Sequence, residues 1–354
     1  MTAWHLYAVR LPDGVELRDS WLSDQGWRDQ PLREAEPLPG RFALPGFVDS
    51  HSHVSFGTGA DGGPVPLDRS EAEANLDRYA RSGVGMIRDA GGAPNVVLTI
   101  PVATGRPHVM AAGRHLAPAG MYFEAVHDPV DASNLVAVAL AEIAAGARCV
   151  KLVADFIPAD ARTLSTALPV PTYDLDVVRD LIQATHAAGA RVAAHVTTSM
   201  VGELVRLGID SVEHGTGLDH DTVAEMARRG IAWTPTLCAG LSIAPDAPDE
   251  RRRLVHQRRE RFRELLPLAI ELGAPVLTGS DAVGSIPREI ALLVECGVDP
   301  SAALRAATTT AVQFFGTDAA AAMPSVVTFD ADPRSSPQVL AQPVAIVVGG
   351  QRIL

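Results

Sequence analysis

Lysine is almost missing from this chain. Of its 30 lysines and arginines a single one, Lys151, is a lysine, so 30 − 1 = 29 are arginines. Surface positions that need a cation take arginine here. A lysine that is kept marks a place where a guanidinium cannot serve, because arginine is not deprotonated in proteins whereas a desolvated lysine can be. Cysteine is scarce too: Cys149, Cys238 and Cys296 have no CxxC spacing and read as reduced, mostly buried thiols of a cytoplasmic protein. An excess of positive charge is absent. The formal net charge is -12 and the sequence pI about 5.3, which argues against a nucleic-acid or anionic-membrane binder, since phosphate affinity needs a basic face. Long apolar runs are lacking as well; the stretch 135–147 is short and contains Glu142, so no membrane segment is expected. The first residues show no basic stretch followed by an apolar run, so no signal peptide is expected either.

What is present is an ordinary globular composition, 47% hydrophobic and 20% charged over 354 residues, enough for one large domain or a barrel with a small partner. Short apolar strands alternate with amphipathic helices from residue 47 onwards, the pattern of a parallel α/β sheet or barrel. Strands are predicted at 47–53, 84–89, 107–112, 149–154, 191–195, 210–214, 231–235 and 275–281. Helices are predicted at 67–81, 131–147, 174–188, 200–207, 220–229, 250–272, 288–295 and 301–315. Eight strand–helix units in this length fit a (β/α)8 TIM-like barrel, for which about 250 residues is typical. Before it, Pro12-Asp13-Gly14 signals a hairpin; after it, 325–330 and 344–348 read as strands. The expectation is that segments 1–45 and 320–354 pair into a small β-sandwich beside a barrel domain at 46–319.

The chemistry starts from His51-Ser52-His53 at the end of the first strand. Side chains alternate along a strand, so His51 and His53 face the same way and can hold one ion together. Two ligands are too few, since a catalytic zinc takes three protein ligands plus water. The remaining candidates all fall at C-terminal strand ends, where barrels build their sites: Lys151 on the fourth strand, His195 on the fifth, His214 on the sixth and Asp281 on the eighth. Four imidazoles suit zinc, manganese, iron or cobalt. Burial among Val150, Leu152 and Val153 lowers the affinity of Lys151 for its proton, and a neutral or carboxylated lysine can span two ions. Asp281 can ligate a metal and take a proton from bound water.

These segments resemble the amidohydrolase superfamily, and within it the imidazolonepropionase-like and prolidase-like members. The resemblance lies in Leu44-Pro-Gly-Phe-Val-Asp-Ser-His-Ser-His53, Val150-Lys-Leu152, the segment 187–195, Gly208-Ile-Asp-Ser-Val-Glu-His-Gly215, Thr234-Pro-Thr236 and Thr278-Gly-Ser-Asp281. It implies that His51, His53 and Asp281 hold one divalent ion, that His195 and His214 hold a second, and that Lys151, N-carboxylated, bridges them with a hydroxide. It also implies hydrolysis of a C–N bond of a small molecule, amide, peptide-like or cyclic, with Asp281 as the catalytic proton carrier. Two departures from the prolidase-like pattern, Ala154-Asp-Phe-Ile-Pro158 and Val196-Thr-Thr-Ser199, lie on the substrate side. Three alternatives stay open: a phosphotriesterase or lactonase on the same dinuclear site, a mononuclear deaminase using His51, His53, His195 and Asp281, and a non-catalytic scaffold.

Among other residues, Arg88 and Asp89 are expected as a buried ion pair supporting the ligands, and His115 and Tyr122 as substrate contacts. Trp233 and Thr234 read as packing. The basic run at 251–263 reads as a solvated helix face, or as a lining of the mouth that attracts an anionic substrate. A homo-oligomer is compatible with the sequence and not required by it.

Overall fold

The computed structural model describes residues 3–59, 63–92, 96–162, 167–244, 246–316 and 324–354. Strand Trp4–Arg10 turns through the expected hairpin into the antiparallel strand Leu17–Ser23. Strand Phe42–Pro45 pairs with Trp4–Arg10 on one side and with Val326–Phe329 on the other, and Ala345–Val348 follows. The two chain ends therefore meet, but in one eight-stranded sheet rather than the expected two-sheet sandwich. The alternation of side chains shows why. Trp4, Leu6, Ala8, Leu22, Val326 and Val347 form a small cluster of their own on one face. Val9, Leu44, Val327, Phe329, Ile346 and Val348 on the other face join the main core, so the body of the protein covers this face and a second sheet is not needed. The boundary expected near 320 lies outside the described residues.

The main body carries strands at all the expected positions but the last. Phe47–Ser52, Val84–Asp89 and His108–Ala111 form one parallel arc. His115–Leu116, Cys149–Val153, Arg191–Val196, Ser211–His214 and Ala232–Thr234 form a second. Single backbone bonds join the arcs: Arg148 N–H donates to Ala111 O at 3.0 Å. The eighth segment, 275–281, has no regular ladder. It is held on one side by Leu277 N–H to Trp233 O and on the other by Ser50 N–H to Thr278 O and Asp281 N–H to His51 O, each 2.8 Å. Gly279 allows this fit, because a Cβ there would lie 2.6 Å from His51 Cβ and 2.7 Å from Thr234 Cγ2.

Helix ends follow local chemistry. Helix Arg69–Arg81 starts from a capping box between Asp68 and Glu71, and helices Val201–Leu207 and His220–Arg229 stop at the left-handed glycines Gly208 and Gly230. The expected helix 301–315 is two helices, Pro300–Ala306 and Thr309–Phe315. The break frees Ala307 O to accept Val48 N–H at 2.8 Å, which ties the helix pair to the first strand.

Candidate metal centre

The ends of three strands bring His51, His53, His195 and His214 together, with Lys151 from the middle of Cys149–Val153 and Asp281 from the end of segment 275–281. Asp281 stands at the hub. Its Oδ1 is 3.5 Å from His51 Nε2 and 3.4 Å from His53 Nε2, while Oδ2 is 4.0 Å from His214 Nδ1. Lys151 Nζ lies 3.2 Å from His51 Nε2. The rings of His195 and His214 meet with centroids 4.5 Å apart, and those of His51 and His214 are 5.0 Å apart. Among the described residues, one trio has ligand atoms all within 4.8 Å of one another: His51, His214 and Asp281. That trio takes a member from each of the two ligand sets that the resemblance implies, because Asp281 turns one oxygen toward each set.

The imidazoles are oriented from behind. His51 Nδ1 bonds Glu213 Oε2 at 2.7 Å, and His53 Nδ1 bonds the Gly91 carbonyl at 2.6 Å. Both partners accept, so Nδ1 carries the proton and Nε2 of each ring is left as a lone pair facing the centre. His214 Nδ1 bonds Thr236 Oγ1 at 2.7 Å. His214, Thr236 and Asp281 all hold left-handed backbone angles, with φ of 67°, 47° and 53°. Such non-glycine conformations carry strain and concentrate at functional sites.

Electrostatics favour the metal-ready forms. Burial, with Lys151 and neighbouring imidazoles adding like charge, holds His51 well below the usual histidine range; burial and His195 do the same to His214, and burial and Lys151 bring His195 to about 3. Burial brings Lys151 down to about 8 despite the opposing charges of Glu213 and Asp281, so an uncharged amine is accessible near neutral pH. Asp49 is pushed up to about 7 by burial and braces the site by accepting from Ser280 N–H at 3.0 Å, from the Ser280 hydroxyl and from His51 N–H.

The expected Arg88–Asp89 ion pair is not found. Consecutive strand residues point to opposite faces, so the two side chains part. Arg88 reaches across to Glu213 Oε1 at 2.5 Å, Ser211 Oγ at 2.7 Å and the Ser50 carbonyl. Asp89 accepts instead from Val54 N–H at 2.7 Å and Gly91 N–H at 3.1 Å, fixing the turn that presents the Gly91 carbonyl to His53. Glu213 is the residue that sequence reasoning passed over. An acidic side chain within the predicted strand 210–214, directly before His214, was its signal. Trp233 packs in the core as expected and also donates from Nε1 to the His214 carbonyl at 3.0 Å, while Thr234 Oγ1 accepts from Arg88.

His115 and Tyr122 sit beside the cluster. His115 is fully buried, 5.5 Å from His53 and 4.4 Å from Tyr122 between ring centroids. Among the described residues, neither of its ring nitrogens has a hydrogen-bond partner of good geometry. Burial and the Asp281 charge raise the Tyr122 hydroxyl above its ordinary value. Outside them a cavity of about 530 Å³ opens from His195 and His214, walled by Phe123, Phe156, Ile157 and Pro235. The two sequence departures meet here. Asp155 accepts from the amides and hydroxyls of Thr197 and Thr198 at 2.8–2.9 Å, and Phe156 forms part of the wall.

Comparison with known proteins agrees with this geometry. Residues 42–345 match the amidohydrolase family. A protein of Mycobacterium tuberculosis described as uncharacterized is 33% identical over 98% of this chain and 95% of its own length. The imidazolonepropionase of Salinispora arenicola is 27% identical over 85% of this chain and 78% of its own. A crystal structure of a Xaa-Pro dipeptidase with bound methionine superposes with a TM-score of 0.79 at 19% identity, covering 99% of both chains, a likeness of fold. With histidines, lysine and aspartate converging on one mouth, and a match that runs from Phe42 through the body to Ala345, this chain belongs to the amidohydrolase family.

Proposed function

We propose that this protein is a metal-dependent hydrolase that cleaves a carbon–nitrogen bond, amide, peptide-like or cyclic, of a small molecule. The observation that carries the reading is the Asp281 carboxylate set between the imidazoles of His51, His53 and His214, with the Lys151 amine 3.2 Å from His51. The donor set fits divalent ions: burial keeps His51, His195 and His214 neutral, and the inward Nε2 atoms of His51 and His53 are left free by outward acceptors at Nδ1. His51, His53 and Asp281 would hold one ion, His195 and His214 a second, and Lys151, N-carboxylated, would span them. Zinc is the first expectation, with manganese, iron or cobalt as substitutes. Such ions supply an activated water and a polarised substrate carbonyl. The two arcs and the bonds of segment 275–281 support a closed (β/α)8 barrel as the frame.

The chain's own residues do the rest. Asp281 takes the proton of the attacking water and returns it to the leaving nitrogen, the exchange a carboxylate at the hub can make without moving far. Glu213, Gly91 and Thr236 keep His51, His53 and His214 aimed. His115 and Tyr122 touch the substrate, and Phe123 and Phe156 exclude bulk water from the reacting bond. The free thiols fit a reducing cytoplasm.

The test is a panel on protein loaded with zinc, manganese or cobalt: N-acyl amino acids, dipeptides and cyclic amides against p-nitrophenyl esters, lactones and organophosphates. Chelator-reversible cleavage of the first group is expected. Turnover of the second group alone would replace the reading with an ester or phosphotriester hydrolase. No bound transition ion under any loading condition would sink it. The alternative is a mononuclear deaminase using His51, His53, His195 and Asp281, which a metal-to-protein ratio near one and ammonia release would support.

A further inference from the structure

The cavity outside the metal centre carries positive charge that hydrolysis by itself does not require. Arg162, Arg251 and Arg258 line it, and among the described residues none of them has a carboxylate within ion-pair distance. Other arginines on the same helix, Asp249–Glu271, are paired: Arg259 with Glu295 at 3.4 Å and Arg263 with Glu260 at 2.8 Å. Arg162 is already spent on structure. It donates to the carbonyls of Ile157, Gly120 and Tyr122 and lies over the rings of Phe123 and Phe156, so it fixes a wall.

Arg258 is different. It is half-buried and its Nη1 donates to the Gly240 carbonyl at 2.8 Å. Burial and the like charge of Arg251 lower its hold on its proton. Two turns apart, Arg251 and Arg258 share one helix face, and the cavity borders both. A partly desolvated guanidinium beside a second one is electrostatically unfavourable until an anion joins them. The fork of donors suits a carboxylate, which it can hold through two parallel hydrogen bonds. The same cavity is bordered by the imidazoles of His195 and His214 and by the apolar side chains of Phe156, Ile157 and Pro235.

We propose that the molecule hydrolysed here carries a carboxylate away from the scissile bond, which docks on Arg258 and Arg251 while an apolar group lies against Phe156 and Pro235. The scissile end of this proposal rests on the hydrolase reading; the anion subsite does not. The test is therefore equilibrium binding. N-acetyl-L-phenylalanine and its carboxamide are titrated calorimetrically into the protein as isolated and after chelation, with phenyl phosphate as a third ligand.

The acid should bind about tenfold or more tightly than the amide in both preparations, the effect of one good charge-assisted contact. Higher salt should weaken the acid and spare the amide. Arg258→Gln and Arg251→Gln should each shrink the preference toward unity, and Arg258→Lys should keep part of it. Arg251 is exposed, so Arg251→Glu tests the charge without disturbing the Gly240 contact and should reverse the preference. Equal binding of acid and amide, a preference that survives these variants, or stronger binding of phenyl phosphate than of the acid overturns the proposal. Acid preference without any C–N cleavage would leave the subsite standing and remove the hydrolase reading.

Discussion

Glu213 Oε2 accepts the Nδ1 proton of His51 at 2.7 Å, and both side chains are buried. The other oxygen of Glu213 is held by Arg88 and by the Ser211 hydroxyl, each at 2.5 Å. The first imidazole of the site is thus aimed by a carboxylate whose own charge is balanced across the interior, from the second strand to the sixth. A ligand held in this way keeps its orientation whether or not an ion is bound, which is what rapid metal loading needs.

Glu213→Gln keeps the size of the side chain but must turn an amide toward either His51 Nδ1–H or Arg88, setting donor against donor. Metal affinity should fall about 10–100-fold, the usual cost of losing such a partner. With Arg88 left without its counter-charge, unfolding free energy should drop by about 3–5 kcal/mol. Elemental analysis after dialysis against graded chelator, together with urea denaturation, measures both. Full metal retention by the variant would remove the orienting role.

Lys151→Arg preserves a cation but cannot bind carbon dioxide, because the guanidinium stays charged. Loss of hydrolysis by about a thousandfold is expected, corresponding to about 4 kcal/mol of barrier. After exchange with labelled bicarbonate, the wild-type protein should show a carbamate carbon resonance that the variant lacks. A resonance of equal intensity in both would place the carboxylation elsewhere.

Acid stability of the chelated protein should report His195. Its imidazole titrates near 3 in the fold and near 6.5 when unfolded, so between these values the unfolded chain binds a proton that the native one refuses. That contribution to stability is present above about 6.5 and is lost as pH falls toward 3. Asp49 acts in the opposite direction, since its raised value lets the native state hold the extra proton between about 4 and 7. His195→Asn isolates the first effect. The stability difference between wild type and variant should shift in the variant's favour by about 1.4 kcal/mol per pH unit on acidification within that window. Parallel stability curves for the two proteins would contradict it.

Asp155→Ala should release the loop after the fifth strand, because Thr197 and Thr198 lose the acceptor of both amides and both hydroxyls. A loss of about 3 kcal/mol is expected by chemical denaturation. Since Thr197 lines the cavity and is not an expected ligand, KM should rise while bound metal changes little. Metal loss equal to that of Glu213→Gln would move Asp155 from the substrate side to the ligand side.

Much of this arrangement is visible in the chain because it is local. Asp68 with Glu71, Gly208 and Gly230 mark helix ends by contacts within one turn. The six site residues could be found because a polar side chain in or at the end of a short apolar strand is a pattern a few residues long. The misses are all long-range. Arg88 and its neighbour Asp89 read as a pair in the chain, whereas alternation sends them apart and the partner of Arg88, Glu213, comes 125 positions later. The helix at 301–315 breaks at Ala307, whose freed carbonyl accepts from Val48 on the first strand.

The sequence by itself therefore determined the order of strands and helices, since periodicity and turn chemistry act between near neighbours, and its motifs carried the family resemblance and the imidazoles, amine and carboxylate of the site. Only the tertiary structure decided which side chains meet. It set Glu213 behind His51, Asp281 between two imidazole groups, Asp155 under Thr197 and Thr198, and Arg251 and Arg258 at the cavity with no carboxylate among the described residues in ion-pair reach. The physical reason is that such pairings depend on how strands far apart in the chain are brought side by side, and on which charges burial leaves without a partner.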